Sequence, residues 1–313
     1  MNNAIELESV TKRFASHTAV DQLNLAVPEG SIYGFIGPNG SGKTTTLRMI
    51  LRIYQPDAGT VKVLGSGRGT VADDRLGYLP EERGLYKRMR VGELLKYYAA
   101  LKGNFDSQQW IGQWLEFLGA SAWWNKRIDT LSKGMAQKVQ FVAAIAGRPQ
   151  LVILDEPFSG LDPVNMESLR DAVLKLRENG TTVIFSTHDM DVAEQMCDTI
   201  FMIFQGKKVL DGTLDSIQDR YPANRLRIRF EDTDYQPPSL SQVLDWSVER
   251  KHFVATLRSS EQSQAVLEQL VPTGQLTHFE IIRPSLHEIF VQIAGAGNAR
   301  ENDLTTATAT ELG

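Results

Sequence analysis

The run Gly37-Pro38-Asn39-Gly40-Ser41-Gly42-Lys43-Thr44-Thr45 constrains this chain more than any other stretch. It fits the pattern Gly, four residues, Gly-Lys-Thr. Before it, Ser31 to Ile36 is short and mostly apolar, as a buried strand is. After it, Leu47, Ile50, Leu51 and Tyr54 recur at i, i+3, i+4 and i+7, one face of a helix. A strand, a glycine loop and a helix start make an anion site. Glycines let successive backbone N–H groups turn onto phosphate oxygens, and the helix dipole adds favourable partial charge. Lys43 is then expected to reach the β- and γ-phosphates, and the Thr44 hydroxyl to ligate Mg²⁺. The two flanks separate this reading from a glycine-rich turn in an unrelated fold. They predict a nucleoside triphosphate site.

The chemistry that could act on such a ligand lies downstream. Leu151-Val152-Ile153-Leu154-Asp155-Glu156 is continuously apolar and ends in two carboxylates. That suits the centre of a parallel sheet covered on both faces, where ligands bind beyond the carboxyl ends of the strands. Asp155 is placed to hold Mg²⁺, directly or through water, and Glu156 to activate a hydrolytic water. In Ser159-Gly160-Leu161-Asp162-Pro163, Asp162 reads as a helix cap and Pro163 as the first turn. Met166, Leu169, Val173 and Leu176 make that helix amphipathic, and Gly180 ends it. A second apolar strand, Thr182 to Phe185, leads to Ser186-Thr187-His188-Asp189, bringing His188 to a strand end within reach of a γ-phosphate. Ahead of both, Leu131-Ser132-Lys133-Gly134-Met135 opens a helix whose face carries Val139, Val142, Ala143 and Ala146. Ser132 and Gly134 offer it as a second phosphate-binding N-terminus.

The remaining segments set the organisation. Residues 5 to 30 read as antiparallel strands, with Ile5, Leu7 and Ser9 alternating against Glu6 and Glu8, and Leu23, Leu25 and Val27 against Asn24 and Ala26. Phe14 lies between them as a core aromatic or an adenine platform. Pro56-Asp57-Ala58-Gly59 marks a turn before a short strand at Val61 to Leu64, and residues 65 to 75 read as a loop. After Gly77-Tyr78-Leu79-Pro80-Glu81 the chain becomes mostly helical to about Trp124. Trp110, Trp114, Leu115 and Leu118 have the spacing of a buried stripe. Adjacent Trp123 and Trp124 would point about 100° apart on a helix, which predicts one of them exposed for a partner. Arg83, Tyr86, Lys87, Arg88 and Arg90 form a basic, aromatic cluster suited to receiving a short helix. Residues 218 to 224 read as a linker, 225 to 294 as a small α+β accessory domain, and 295 to 313 as a disordered tail.

Composition narrows the setting. At 313 residues there is room for one large domain and a smaller one. A net charge of -5 gives no global electrostatic case for nucleic acid. The single cysteine, Cys197, cannot form an internal disulfide and fits a reducing cytoplasm. No apolar run approaches the roughly 18 residues of a membrane span, and Met1-Asn2-Asn3-Ala4-Ile5-Glu6 lacks the order of a signal peptide. Work at a membrane would go through a partner.

Taken in order, the motifs at 37–45, 131–135, 151–156, 159–163 and His188 resemble the Walker A, signature, Walker B, D-loop and switch histidine of ABC-type ATPases. The resemblance covers about residues 3 to 220. It implies an α/β P-loop NTPase fold: a RecA-like core with an antiparallel β subdomain and a helical subdomain at about 85–150, all within 1–217. It further implies ATP and Mg²⁺ as cofactors, and ATP hydrolysis driving the separate transmembrane permease subunit of a transporter, of efflux type. A second nucleotide-binding domain, identical or closely paralogous, would pair head to tail, each Ser132-Lys133-Gly134-Met135 completing the other's ATP site. The same matching puts Phe14 at the adenine-stacking position. It places the chain in the cytoplasm, peripheral on the inner face of the plasma membrane. Two departures stand out: Glu81 replaces the expected glutamine, and the signature reads Leu-Ser-Lys-Gly-Met. A carboxylate at 81 can bind metal, but repels a γ-phosphate unless Mg²⁺ or a proton intervenes. The accessory domain, with Ser285-Leu286-His287-Glu288-Ile289-Phe290, is similar to the C-terminal extension of bacterial sodium- or drug-efflux ATPase subunits. Two other readings are a soluble ABC ATPase acting on nucleic acid or ribosomes, and a low-turnover regulatory module. Against the first stand the single nucleotide domain, the acidic balance and the lack of zinc cysteines or a long coiled-coil insertion. Against the second stand Glu156 and His188.

Overall fold

Antiparallel strands come first along the chain, as their alternation predicts. In the computed structural model, which describes residues 2–66, 74–82, 84–232 and 235–295, β1 (Asn3–Phe14) pairs with β2 (His17–Pro28). After β3 (Ile32–Ile36) and α1 (Lys43–Ile50), β4 (Ala58–Val63) joins the other edge of β1, giving a three-stranded sheet of order β2-β1-β4. The alternation shifts at Ser9. Ser9 has φ of 48° at a register shift in the β1–β2 pairing, so Val10 rather than Ser9 continues the buried row of Ile5 and Leu7.

The six-stranded sheet that carries the site is built from β3, β5 (Leu76–Leu79), β6 (Leu151–Asp155), β7 (Thr182–Thr187), β8 (Thr199–Phe204) and β9 (Lys207–Gly212). Its order is β5-β6-β7-β3-β8-β9, parallel throughout except for β9. The central strands β3, β6 and β7 are buried at every position, because both faces are covered. On one face Tyr33, Phe35, Ile153 and Ile184 pack with Leu47 and with Ile5, Leu7 and Val20 of the antiparallel sheet. On the other, Ile32, Val152, Leu154, Val183 and Phe185 pack with the helices. Register decides the rest: Ile36 lies opposite Thr187, and Asp155 opposite Ser186. The segments leaving β3, β6 and β7 therefore emerge side by side at one end of the sheet.

The helices are α2 (Val91–Leu101), α3 (Gln108–Phe117), α4 (Lys133–Ile145), α5 (Pro163–Glu178) and α6 (Met190–Met196). Trp114, Leu115 and Leu118 are buried as their spacing predicts, and Trp110 is half-buried with its indole N–H donating to the Ile145 carbonyl at 3.0 Å. Trp123 and Trp124 correct the sequence reading. They end a 3₁₀ turn (Ser121–Trp123) instead of sharing an α-helix, and both are half-buried against the same core. The Trp124 indole lies where a Cβ on Gly92 would go, and Lys96 sits 5.4 Å from its ring. Neither tryptophan is fully exposed.

The chain divides into compact units after Leu214, slightly ahead of the expected 217, and α7 (Leu214–Gln218) occupies the junction. The second unit holds β10 (Arg225–Phe230), β11 (Val243–Glu249), β12 (His252–Leu257), α8 (Ser263–Leu270), β13 (Leu276–Ile282) and α9 (286–295). Its antiparallel sheet has the order β11-β12-β10-β13, with Leu226, Ile228, Ala255 and Leu257 packed on Val266 and Leu270. The strand β11 has no counterpart in the sequence reading. Arg83, most of the loop assigned to 65–75, and the tail after Gly295 lie outside the described residues.

Candidate functional site

The phosphate loop links β3 to α1. Gly37 has φ of 152° and Gly42 of 110°, values that L side chains rarely adopt. A Cβ at Gly37 would strike the Ile203 carbonyl oxygen, and one at Gly42 would lie 2.5 Å from the Ala19 carbonyl oxygen. Gly42 is the N-cap of α1 and offers no capping side chain, so the first-turn N–H groups of Lys43, Thr44 and Thr45 are left for a ligand. Ser41 Oγ is buried with no hydrogen-bond partner. Such a hydroxyl is costly unless an oxygen reaches it, and a phosphate would supply one. Pro38, Asn39 and Gly40 form the more open rim, with Gly40 at φ of 78°.

Lys43 is buried, and its ammonium donates to the carbonyl oxygens of Gly37 at 2.5 Å and Pro38 at 3.2 Å. Burial lowers its pKa, and the charges of Glu156, Asp155 and Glu81 act in the opposite sense. One cation is thus within electrostatic reach of the three carboxylates singled out in the sequence. Asp155 is buried at the end of β6 and accepts from Ser186 Oγ at 2.5 Å. Glu156 follows at φ of 48°, its N–H donating to both the carbonyl oxygen and Oγ of Ser186 at 3.2 Å. Its carboxylate accepts from Thr187 Oγ1 at 3.4 Å and meets His188 Nδ1 at 2.8 Å. A carboxylate only accepts, so Nδ1 carries the proton in that bond, leaving Nε2 on the exposed side of the imidazole.

Ser186 and Thr187 escape sequence reasoning. Their signal is slight: two small hydroxyls ending an otherwise apolar strand, both buried. Glu81 lies on an exposed bend after β5, and the half-buried Thr44 hydroxyl belongs to the first turn of α1. Phe14 is 41% exposed, which excludes a core role. Its ring meets Tyr54 edge-on at 5.4 Å, with the Lys12 ammonium 5.4 Å from its centroid.

The segment 132–135 begins α4. Ser132 is the N-cap, accepting from the Met135 N–H at 3.3 Å. Lys133 is exposed, its ammonium lying against Gly160 where a Cβ would collide. A Cβ on Gly134 would come 2.6 Å from the Asn165 amide. Asn165 in turn donates twice to Asp162, the N-cap of α5. Within one chain, then, 132–135 packs against 159–165, and both helix starts are exposed beside each other.

Metal suits this donor set in one form. Among the described residues no group of three or more His, Cys, Asp or Glu side chains could hold an ion alone. Mg²⁺ needs only one or two protein oxygens when phosphates and water supply the rest, and Asp155 with Thr44 can provide those.

Comparison with known proteins agrees with the geometry. Residues 20–159 match the family model "ABC transporter", and residues 212–294 match "ATP-binding protein DrrA1-3-like, C-terminal domain". The ABC transporter ATP-binding protein YhaQ of Bacillus subtilis (strain 168) is 38% identical over 93% of this chain and 99% of its own length. The bacitracin transport ATP-binding protein BcrA of Enterococcus faecalis is 32% identical over 95% of this chain and 98% of its own. A solved ATP-binding subunit of an ABC transporter superposes with a TM-score of 0.65 at 27% identity, covering 69% of this chain and 92% of that one. On its sequence and its fold alike, the chain belongs to the ATP-binding subunits of ABC transporters, the ATPases that hydrolyse ATP to drive transport.

Proposed function

We propose that this subunit binds Mg²⁺·ATP on the 37–45 loop, hydrolyses it with Glu156 as general base, and drives efflux through a separate membrane subunit. The observation that carries this reading is the pair of carboxylates at the end of β6, held by hydroxyl and imidazole groups at the end of β7. Glu156, just beyond β6, is held by Thr187 and His188 at the end of the adjacent β7, and its charge acts on Lys43 beyond β3. A base so held needs no reorganisation when a water arrives, while the exposed His188 Nε2 remains for a γ-phosphate oxygen. Thr44 and Asp155 would hold the Mg²⁺, with Glu81 beside them. When bound, the ion neutralises phosphate charge and offsets the repulsion that a carboxylate at 81 would otherwise exert. Phe14 is suited to stacking on adenine.

Efflux is inferred from relatives that serve bacitracin transport and daunorubicin/doxorubicin resistance. The nucleic-acid and ribosome reading is not favoured, since the relatives are transport proteins and the net charge is -5. The exposed starts of α4 and α5 suit closure against a second nucleotide-binding domain, identical or paralogous, with Ser132, Lys133, Gly134 and Met135 reaching its ATP. No helix among the described residues is long and apolar enough to cross a membrane. Attachment to the inner face of the plasma membrane would therefore go through the permease. A groove of about 320 Å³ beside Tyr78, Tyr98 and Leu101 suits a short helix from that subunit, and Tyr86, Lys87 and Arg88 are exposed ahead of α2.

The decisive test is Glu156→Gln, which keeps the shape of the carboxylate without its basicity. ATP affinity should be retained, and steady-state turnover should fall by ~10²–10⁴-fold. Near-normal hydrolysis by the variant would remove Glu156 from the role.

A further inference from the structure

Two buried amides on the helix that begins at Ser132 reach the loops that flank the γ-phosphate side of the site. Gln137 and Gln140 lie at i and i+3 on one face of α4, and each is 4% exposed. Gln137 Nε2 donates to the Pro157 carbonyl oxygen at 2.9 Å, one residue beyond Glu156. Gln140 Nε2 donates to the Pro80 carbonyl oxygen at 3.1 Å and, at 3.5 Å, to that of Glu82. Those two carbonyls bracket Glu81. A single turn of α4 therefore grips both carboxylate-bearing loops by their backbones.

The other contacts of α4 show what the grip can do. Between the two glutamines, buried Lys138 donates to the Leu118 carbonyl oxygen at 3.3 Å, the C-cap of α3. A cation at that end suits the helix dipole, and it ties α4 to α3. The glutamines tie it instead to the sheet-end loops. We infer that Gln137 and Gln140 are positioning residues that carry the nucleotide state of the Glu81 and Glu156 loops into the start of α4, where Ser132 and Lys133 stand. Gln140 Oε1 supports this, being buried with no partner. Methionine would fill a similar volume without an unpaired acceptor, so the amide is kept at a cost, for its donor. A displacement of the Glu81 or Glu156 loop would pull on α4 through rigid backbone acceptors, and Ser132 lies about one and a half turns from Gln137 and just over two from Gln140.

The inference rests on the proposed reading of Glu81 and Glu156 as neighbours of the γ-phosphate, and the test separates the two. Backbone hydrogen exchange is followed in the full chain carrying Glu156→Gln, with and without Mg²⁺·ATP. The same measurement is made after adding Gln137→Met, Gln140→Met, or both. ATP should protect the 37–45 loop in every variant, with affinity within about threefold of the parent. Protection of residues 132–136 should appear with ATP when both glutamines are present and vanish in the double variant. In chains that keep Glu156, each single substitution should lower kcat by roughly tenfold, the size of one lost hydrogen bond, with KM unchanged. The melting temperature of Gln140→Met should not fall, since an unpaired acceptor leaves with the donor. An ATP response at 132–136 that survives the double substitution would overturn the inference, as would its absence from the parent. A large drop in melting temperature in both single variants would overturn it in favour of a purely structural role. Absence of ATP protection at 37–45 would instead sink the nucleotide site itself.

Discussion

Lys43 is the residue whose environment and task pull hardest against each other. Its ammonium is buried against Gly37 and Pro38, and burial lowers its pKa despite three nearby carboxylates. The folded pKa lies below the ordinary 10.5, so the unfolded chain binds more protons in the window just beneath that value. Stability from this residue is therefore reduced at neutral pH and recovers as pH rises toward 10.5. Urea titrations of the parent and of Lys43→Met should show the parent gaining stability relative to the variant across that alkaline window. A difference that stays constant, or falls, would contradict the burial argument. The same substitution should weaken ATP binding and turnover together, unlike Glu156→Gln. At this scale the sequence was legible wherever a motif carries its own chemistry, as at Lys43, Asp155 and Glu156. It was silent on Ser186, whose hydroxyl acquires meaning only when β7 is laid beside β6 and Asp155 meets it.

Elements show where local reading ends. The strands β3, β6 and β7 are buried at every position and largely apolar, and could be recognised because both their faces are covered. The edge strand β11 could not, since Leu244 and Val248 are exposed and its register breaks between Val243 and Asp245. Trp123 and Trp124 misled for a related reason: the 100° rule holds on an α-helix, and a 3₁₀ turn ends there instead. Packing between elements also yields a stability prediction. The C-cap of α6, Cys197, places Sγ where a Cβ on Gly34 of β3 would collide, and burial pushes its thiol pKa up. Gly34→Ala should cost about 1–3 kcal/mol through overpacking, read from urea unfolding. Cys197→Ala should be cheaper alone and should rescue part of the loss when combined with it, because the two atoms contend for one space. Simple additivity in that double-mutant cycle would mean that the strain lies elsewhere. The raised thiol pKa also keeps the thiolate scarce, so iodoacetamide should label the native chain slowly at pH 7 and the denatured chain readily.

For the whole molecule, the questions are what it docks to and with what it shares its site. Of the basic cluster, Arg90 is already committed to the fold: it begins α2 and its guanidinium donates to the Asn125 carbonyl oxygen at 2.5 Å. Lys87 and Arg88 are the exposed charges to test. Reversing both should leave ATP binding by the isolated chain unchanged and reduce co-purification with the membrane subunit, or uncouple hydrolysis from transport. Intact assembly and transport would move the docking surface elsewhere.

The central claim is an ATPase whose catalytic sites are completed across two chains, and mixing two inactive variants measures it most directly. Ser132→Arg leaves its own 37–45 loop intact but blocks the approach of α4 to a facing phosphate. Lys43→Ala cripples its own loop but presents an intact Ser132. Differently tagged copies of the two are exchanged until each co-purifies with the other, and steady-state ATP hydrolysis is measured. Activity well above that of either variant alone is the predicted result, because one mixed site then joins an intact phosphate loop to an intact Ser132. No recovery, with exchange demonstrated, would contradict the shared site.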